Sequence, residues 1–277
     1  MQKYNYNVAI IIINLRMFLM KAIAFINQKG GVGKSTTTLH TASYLVKKGY
    51  SVLTIDLDPQ GNLSKAFRID TEGKATLKEV LVGQVAINQA IYQTEKFGYI
   101  IPSDIELGQA ERRIAGETGA EQLLSVALEP LLEKVKFDYI LIDCPPAFNI
   151  FTYNALLVAT DVVIPCKSEQ WSLDGAEQFF SIQELIKKRF KKDINVAGLL
   201  VNQYQSNIST QKMFYEILEK EAKKRKVPFI KQAIRLSTDV NTAIGMCQSV
   251  FDWKKGSKVA EDFNIAIEDF IKNVKGD

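Results

Sequence analysis

The stretch that most limits how this chain can fold is "KAIAFINQKGGVGKSTTTLHTASYLVKKGYSVLTIDLD", residues 21–58. A β-prone run (21–27) meets three glycines within four residues. A helical pattern (34–49) follows, with Leu39, Ala42, Leu45 and Val46 on one face and Gly49 as its stop. A second apolar run (50–58) then begins. Strand, glycine turn, helix and strand make a βαβ unit whose crossover should be right-handed.

The turn itself has phosphate-binding chemistry. The common form needs Gly, four residues, then Gly-Lys-Ser/Thr. Here Gly33, Lys34 and Ser35 are in place, but Gln28 occupies the first glycine position and Lys29 follows it. Gly30, Gly31, Val32 and Gly33 are expected to line a phosphate with backbone N–H groups. The positive end of the helix dipole lies just behind them. Lys34 is expected on the β/γ-phosphates, the Ser35 hydroxyl on Mg²⁺ and Thr36 on the α-phosphate.

The alternation continues. Apolar runs at 98–103, 138–143, 161–166 and 195–202 alternate with helical stretches near 106–116, 120–135, 172–190 and 209–225. This predicts an α/β fold: a mostly parallel, twisted sheet flanked by helices on both faces. Residues 20–277 read as one domain. Residues 1–19 hold only a short apolar run, Val8–Ile13, interrupted at Asn14 and Arg16. That is too short to span a bilayer. The segment reads as a stretch upstream of a natural start at Met20, or as an edge strand. Three distant cysteines, with no C-x-x-C spacing, fit a reducing compartment and no metal site. His40, inside the first helix, reads as structural.

Three carboxylates stand at predicted strand ends. Asp56 and Asp58 alternate in "DLDPQGN", so both face one side of the strand end. Asp143 closes "FDYILID" and is placed to hold Mg²⁺.

"KGGVGKST", "DLDPQGN", "DYILIDCPP", "YNALLVATDVVIPC" and "IRLSTDV" together resemble the deviant Walker A P-loop ATPases, the ParA/MinD group, and within it the ParA/Soj partition ATPases. The resemblance implies ATP and Mg²⁺ as ligands and an ATP-dependent homodimer. Lys29 would reach across the interface to the partner's phosphates. Asp58 would position the attacking water and Asp56 would support the Mg²⁺ shell. It also implies slow, partner-stimulated hydrolysis, non-specific binding to double-stranded DNA, a ParB-type centromere-binding partner and a cytoplasmic, nucleoid-associated place in plasmid or chromosome partition. Asn202 is expected to face the adenine. Ala147 stands where a serine is usual, and Phe148-Asn149 replace Leu-Gly.

The charge distribution reads either as a polyanion footprint or as solvated helix ends. Residues 187–235 hold thirteen basic and four acidic side chains, in a chain whose net charge is only +4. Arg235 matches a DNA-contacting arginine of the family. Lys187, Lys188, Arg189, Lys223 and Lys224 are the other candidate DNA contacts. Tyr204-Gln205-Ser206 lacks a cation that relatives carry. The rival reading is a MinD-like membrane-cycling or protein-cargo-positioning ATPase. The helix expected over 261–277 is amphipathic but acidic at its start, which argues for packing rather than membrane attachment. No stable membrane insertion is expected.

Overall fold

The structure is a computed structural model and describes residues 21–169 and 172–274. The expectations for residues 1–19 lie outside it. The first unit forms as read: β1 (Lys21–Phe25), α1 (Lys34–Lys47) and β2 (Val52–Asp56). Two short helices, α2 (Asn62–Ala66) and α3 (Leu77–Leu81), lead to β3 (Tyr92–Thr94), β4 (Gly98–Ile101) and α4 (Ile105–Ala115). The helix expected over 120–135 is a 3₁₀ turn, Ala120–Gln122, followed by α5 (Leu123–Leu132). Then come β5 (Tyr139–Asp143), α6 (Ile150–Val158), β6 (Asp161–Lys167), α7 (Ser172–Phe190), β7 (Asn195–Asn202), α8 (Ser209–Arg225) and β8 (Phe229–Ile230). Helices α9 (Thr238–Gly245), α10 (Val250–Trp253) and α11 (Lys258–Lys272) close the described chain.

The eight strands run in the order β3-β4-β2-β5-β1-β6-β7-β8. Every pair is parallel except β3 with β4. Strand alternation divides the core. Ala22, Ala24 and Ile26 face one layer, with Leu124, Phe151 and Phe179. Ile23 and Phe25 face the other, with Leu39 and Leu45 of α1 and Phe263 and Phe270 of α11. Both faces are covered, so the strands are apolar almost throughout.

Helix α11 bears on one alternative from the sequence. Its apolar residues Val259, Phe263, Ala266, Ile267 and Phe270 are all buried against the sheet and α1. The face a membrane would need is already in the core. No described helix is long and apolar enough to cross a membrane.

His40 joins α1 to this layer. Its ring stacks on Phe263 with centroids 4.1 Å apart. Nε2 accepts from the Val250 amide at 3.2 Å, so Nδ1 carries the proton donated to the Thr36 carbonyl at 2.7 Å. Full burial pulls its pKa down to about 4. Above the unfolded value of about 6.5 both states are neutral; as pH falls below it the unfolded chain takes a proton first, so stability declines until about pH 4. The full loss is about 3 kcal/mol. As the chain's sole histidine, it gives one imidazole C2–H resonance. That resonance should not titrate near pH 6.5 in the folded protein; a midpoint there would disprove the burial argument.

Candidate phosphate-binding and carboxylate site

The parallel register aligns three strand ends. Phe25 of β1 and Asp56 of β2 both pair with Asp143 of β5. The glycine loop therefore leaves the sheet beside two buried carboxylates, at the carboxyl edge where open α/β sheets bind ligands.

The loop is fixed from below. The Asn27 side chain donates to the Pro165 carbonyl at 2.8 Å and accepts from the Lys29 amide at 2.9 Å. Asn202 donates to the Val32 carbonyl at 3.0 Å and to Thr37 Oγ1 at 3.2 Å. Gly33 sits at φ 93°, and a Cβ there would lie 2.8 Å from Asn202 Nδ2, so conformation and space both require glycine. Gln203 donates to the Gly31 carbonyl at 3.1 Å.

Above the loop is a cleft of about 400 Å³, lined by Gly30, Gly31, Gly33, Lys34, Ser35, Thr36, Asp58, Gln60 and Asn62, among others. Lys34 is 6% exposed, and its ammonium donates to the Lys29 carbonyl at 3.3 Å. Burial lowers its pKa, opposed by the charge of Asp143.

The carboxylates differ in what they hold. Asp56 has both oxygens engaged: Oδ1 by the Asp58 amide at 3.1 Å, and Oδ2 by the Ser64 amide at 2.9 Å and hydroxyl at 2.7 Å. Burial, resisted by those bonds, raises its pKa to about 7. Asp56 thereby organises the loop that carries Asp58. Asp58 is 8% exposed, lines the cleft and accepts from the Gln60 amide at 3.0 Å. Asp143 is fully buried, and among the described residues neither oxygen has a partner in good hydrogen-bond geometry. Burial and then the neighbouring Asp56 hold its pKa well above the usual carboxylate range, while Ser35 and Lys34 pull the other way.

A buried carboxylate without donors is costly unless a cation compensates it. Ser35 and Asp143 thus fit a divalent ion. Among the described residues no group of three or more His, Cys, Asp or Glu could hold a metal alone.

Lys29 stands apart from the cleft. It is about one-third exposed, and its ammonium pairs with Glu169, just beyond the end of β6. Glu169, Gln203, Gln60 and Asn62 were not singled out by the sequence. Glu169 and Gln203 follow strands that end at this edge, and that position is the signal which would have marked them.

Two further candidate residues lie on the other side of the loop. Asn202 supports the loop through its amide nitrogen. It also lines a smaller cavity of about 100 Å³ with Gly33, Thr36, Gln203 and Arg235. Arg235 is not an idle cation. Buried Asp262 accepts from its Nε at 2.5 Å, its Nη2 at 2.7 Å and its backbone amide at 3.1 Å. Replacing it by glutamate would set two carboxylates together.

The other expected DNA contacts lie far from Arg235. Helices α7 and α8 start at the carboxyl edge and run back along the sheet. Lys187, Lys188 and Arg189 occupy the last turn of one, Lys223 and Lys224 the last turn of the other. With 19 and 17 residues, these helices carry their ends about 25–28 Å away. The candidate DNA contacts thus fall into two sets at opposite edges of the sheet, Arg235 at one and these basic residues at the other. The lysines and Arg189 are exposed; Lys187 and Lys224 reach Asp193 and Glu221 only at 3.6 and 3.8 Å.

Comparison with known proteins places this geometry. Residues 20–196 match the family model described as an AAA domain. An uncharacterised Mycobacterium tuberculosis protein is 34% identical over 204 residues, 72% of this chain and 64% of that protein. The chain thus spans under two thirds of that relative's length. The chromosome partitioning protein ParA of Caulobacter vibrioides is 34% identical over 67% of this chain and 70% of its own. Among solved structures, a putative plasmid partition protein from Borrelia burgdorferi bound to AMPPNP superposes with a TM-score of 0.78 at 26% identity, covering 92% of this chain and 100% of that one. Cobyrinic acid a,c-diamide synthase from Mycobacterium smegmatis, with an ATP analog and magnesium bound, gives 0.72 at 29% identity, covering 86% and 98%.

Proposed function

Because this chain belongs to the ParA/Soj-type family of deviant Walker A P-loop ATPases, we propose that it hydrolyses ATP as a homodimer that forms on ATP binding. The dimer binds double-stranded DNA without sequence preference and drives plasmid or chromosome partition with a ParB-type partner. The observation that carries the reading is the pair of lysines. Lys34 is buried at the cleft, while Lys29, five residues earlier, is about one-third exposed and pairs with the half-exposed Glu169. A cation in that position is available to a neighbour's phosphates more readily than to its own.

The roles follow from the site. The loop amides and Lys34 bind the triphosphate, and Thr36 stands beside the phosphate nearest the helix. Ser35 and Asp143 would hold Mg²⁺, which when bound neutralises charge on the β- and γ-phosphates. Asp58, kept at the cleft by its own loop, orients the attacking water. Lys29 of one copy stabilises charge on the other copy's transferring phosphoryl group. Each carboxylate on this surface would repel a polyphosphate without those cations, so turnover is slow and open to stimulation by a partner.

For DNA, the exposed lysines at the ends of α7 and α8 are the better-placed cations, since Asp262 already occupies Arg235. Their contacts would be to phosphates, which carry no sequence information.

One experiment tests the whole reading. Asp58→Ala with ATP and Mg²⁺ should form a persistent dimer retained on DNA, and the ADP-loaded protein should wash off. Neutralising Lys223 and Lys224 should lower the slope of log affinity against log salt by about 2. A monomer with ATP, or equal DNA retention with ATP and ADP, would overturn the function proposed.

A further inference from the structure

We infer that α4 and the turn before it tie the two carboxylate segments into one body, and that Glu111 is the positioning residue through which α4 holds the Asp143 loop. At one end, the Ser103 amide donates to Ser64 Oγ at 2.9 Å, and that hydroxyl donates to Asp56. One helical turn further on, Gly108 lies against the loop carrying Asp58: a Cβ at 108 would meet Pro59 Cβ at 3.1 Å. On the next turn, Glu111 Oε1 accepts from Asn149 Nδ2 at 3.1 Å.

Asn149 is the far anchor of residues 144–149, the segment that follows Asp143. Its Oδ1 caps α6, accepting from the amides of Phe151 at 3.2 Å and Thr152 at 3.4 Å. Thr152 Oγ1 donates back to the Ala147 carbonyl at 2.5 Å. The near anchor is in the sheet, where the Cys144 amide donates to the Phe25 carbonyl at 3.3 Å. Both carboxylate loops therefore rest on the same rigid helix at positions 108 and 111, which share a face one turn apart. Asp58 cannot shift outward without pressing on α4, and α4 cannot shift without pulling Asn149. Neither Gly108 nor Glu111 lines the cleft among its described residues.

The catalytic consequence rests on the ATPase reading; the mechanical tie does not. Two measurements keep them apart. In the nucleotide-free protein, hydrogen exchange should rise in Glu111→Ala at 144–149 and also at 57–61, and Glu111→Gln, whose carbonyl still accepts from Asn149, should match wild type. A rise confined to 144–149, or none, would overturn the tie whether or not the protein hydrolyses ATP.

In single-turnover hydrolysis, Glu111→Ala and Gly108→Ala should each lower the rate about 10-fold, the order expected when a positioning contact slips. ATP affinity should stay within about 2-fold, and the double variant should be no slower than the worse single one. A merely structural role predicts normal turnover in both, with thermal stability unchanged or higher in Glu111→Ala, where alanine favours helix, and lower in Gly108→Ala, where the new Cβ presses on Pro59. Normal turnover in Glu111→Ala, or losses that multiply in the double variant, would overturn the proposal. A wild-type protein without ATPase activity would instead sink the functional reading and leave the exchange result to decide the tie.

Discussion

Lys34→Ala is expected to lose ATP binding by about 2–5 kcal/mol, or about 30-fold to several thousand-fold, the cost of truncating one partner of a buried charge pair. The ammonium is buried beneath the cleft, with a pKa lowered by that burial. Two acidic neighbours, Asp143 and Asp58, help keep it charged. A triphosphate brings more negative charge to the same place. Without Lys34 the cleft offers backbone amides and a helix dipole against two carboxylates, and those amides cannot compensate. Titration with a fluorescent ATP analogue measures the loss directly. Affinity within 3-fold of wild type would mean that phosphate is held elsewhere.

Lys29→Ala should behave differently, and the contrast is the sharper test. Its ammonium faces Glu169 rather than the cleft. Removing it should leave ATP affinity within a few-fold, because a partly exposed pair contributes only about 0–1 kcal/mol within one chain. Turnover should fall by about 10³-fold or more, the usual scale for a cation supplied in trans to a transferring phosphoryl group. The ATP-loaded protein should also elute as a monomer by light scattering. Equal losses of binding and turnover would place Lys29 in its own cleft. Unchanged turnover would remove it from the mechanism.

Much of this site could be read from the chain alone, because the decisive residues are local to strand ends. The glycine loop follows β1 directly, and Asp56, Asp58 and Asp143 end or follow near-continuous apolar runs. What escaped depends on distant pairings. Nothing near Arg235 in sequence announces that Asp262, on another element, will close on it. Strands β3 and β8 have three residues and two, too few to show a period. The basic residues of 187–235 look like one cluster when counted along the chain. A crossover helix carries charge from one edge of a sheet to the other, and linear counting cannot see that. Asp56 and Asp143 look alike in sequence, yet one accepts three hydrogen bonds and the other, among the described residues, has no partner in good geometry.

The return of α7 and α8 to the far edge gives each molecule two poles. Phosphate chemistry sits at one, and the exposed lysines crowd the other. Two copies joined nose to nose across their nucleotides would turn those lysine-rich tails away from each other. In the dimer proposed above, that arrangement would favour bridging two separate stretches of duplex, like a rivet through neighbouring strands, over clamping one.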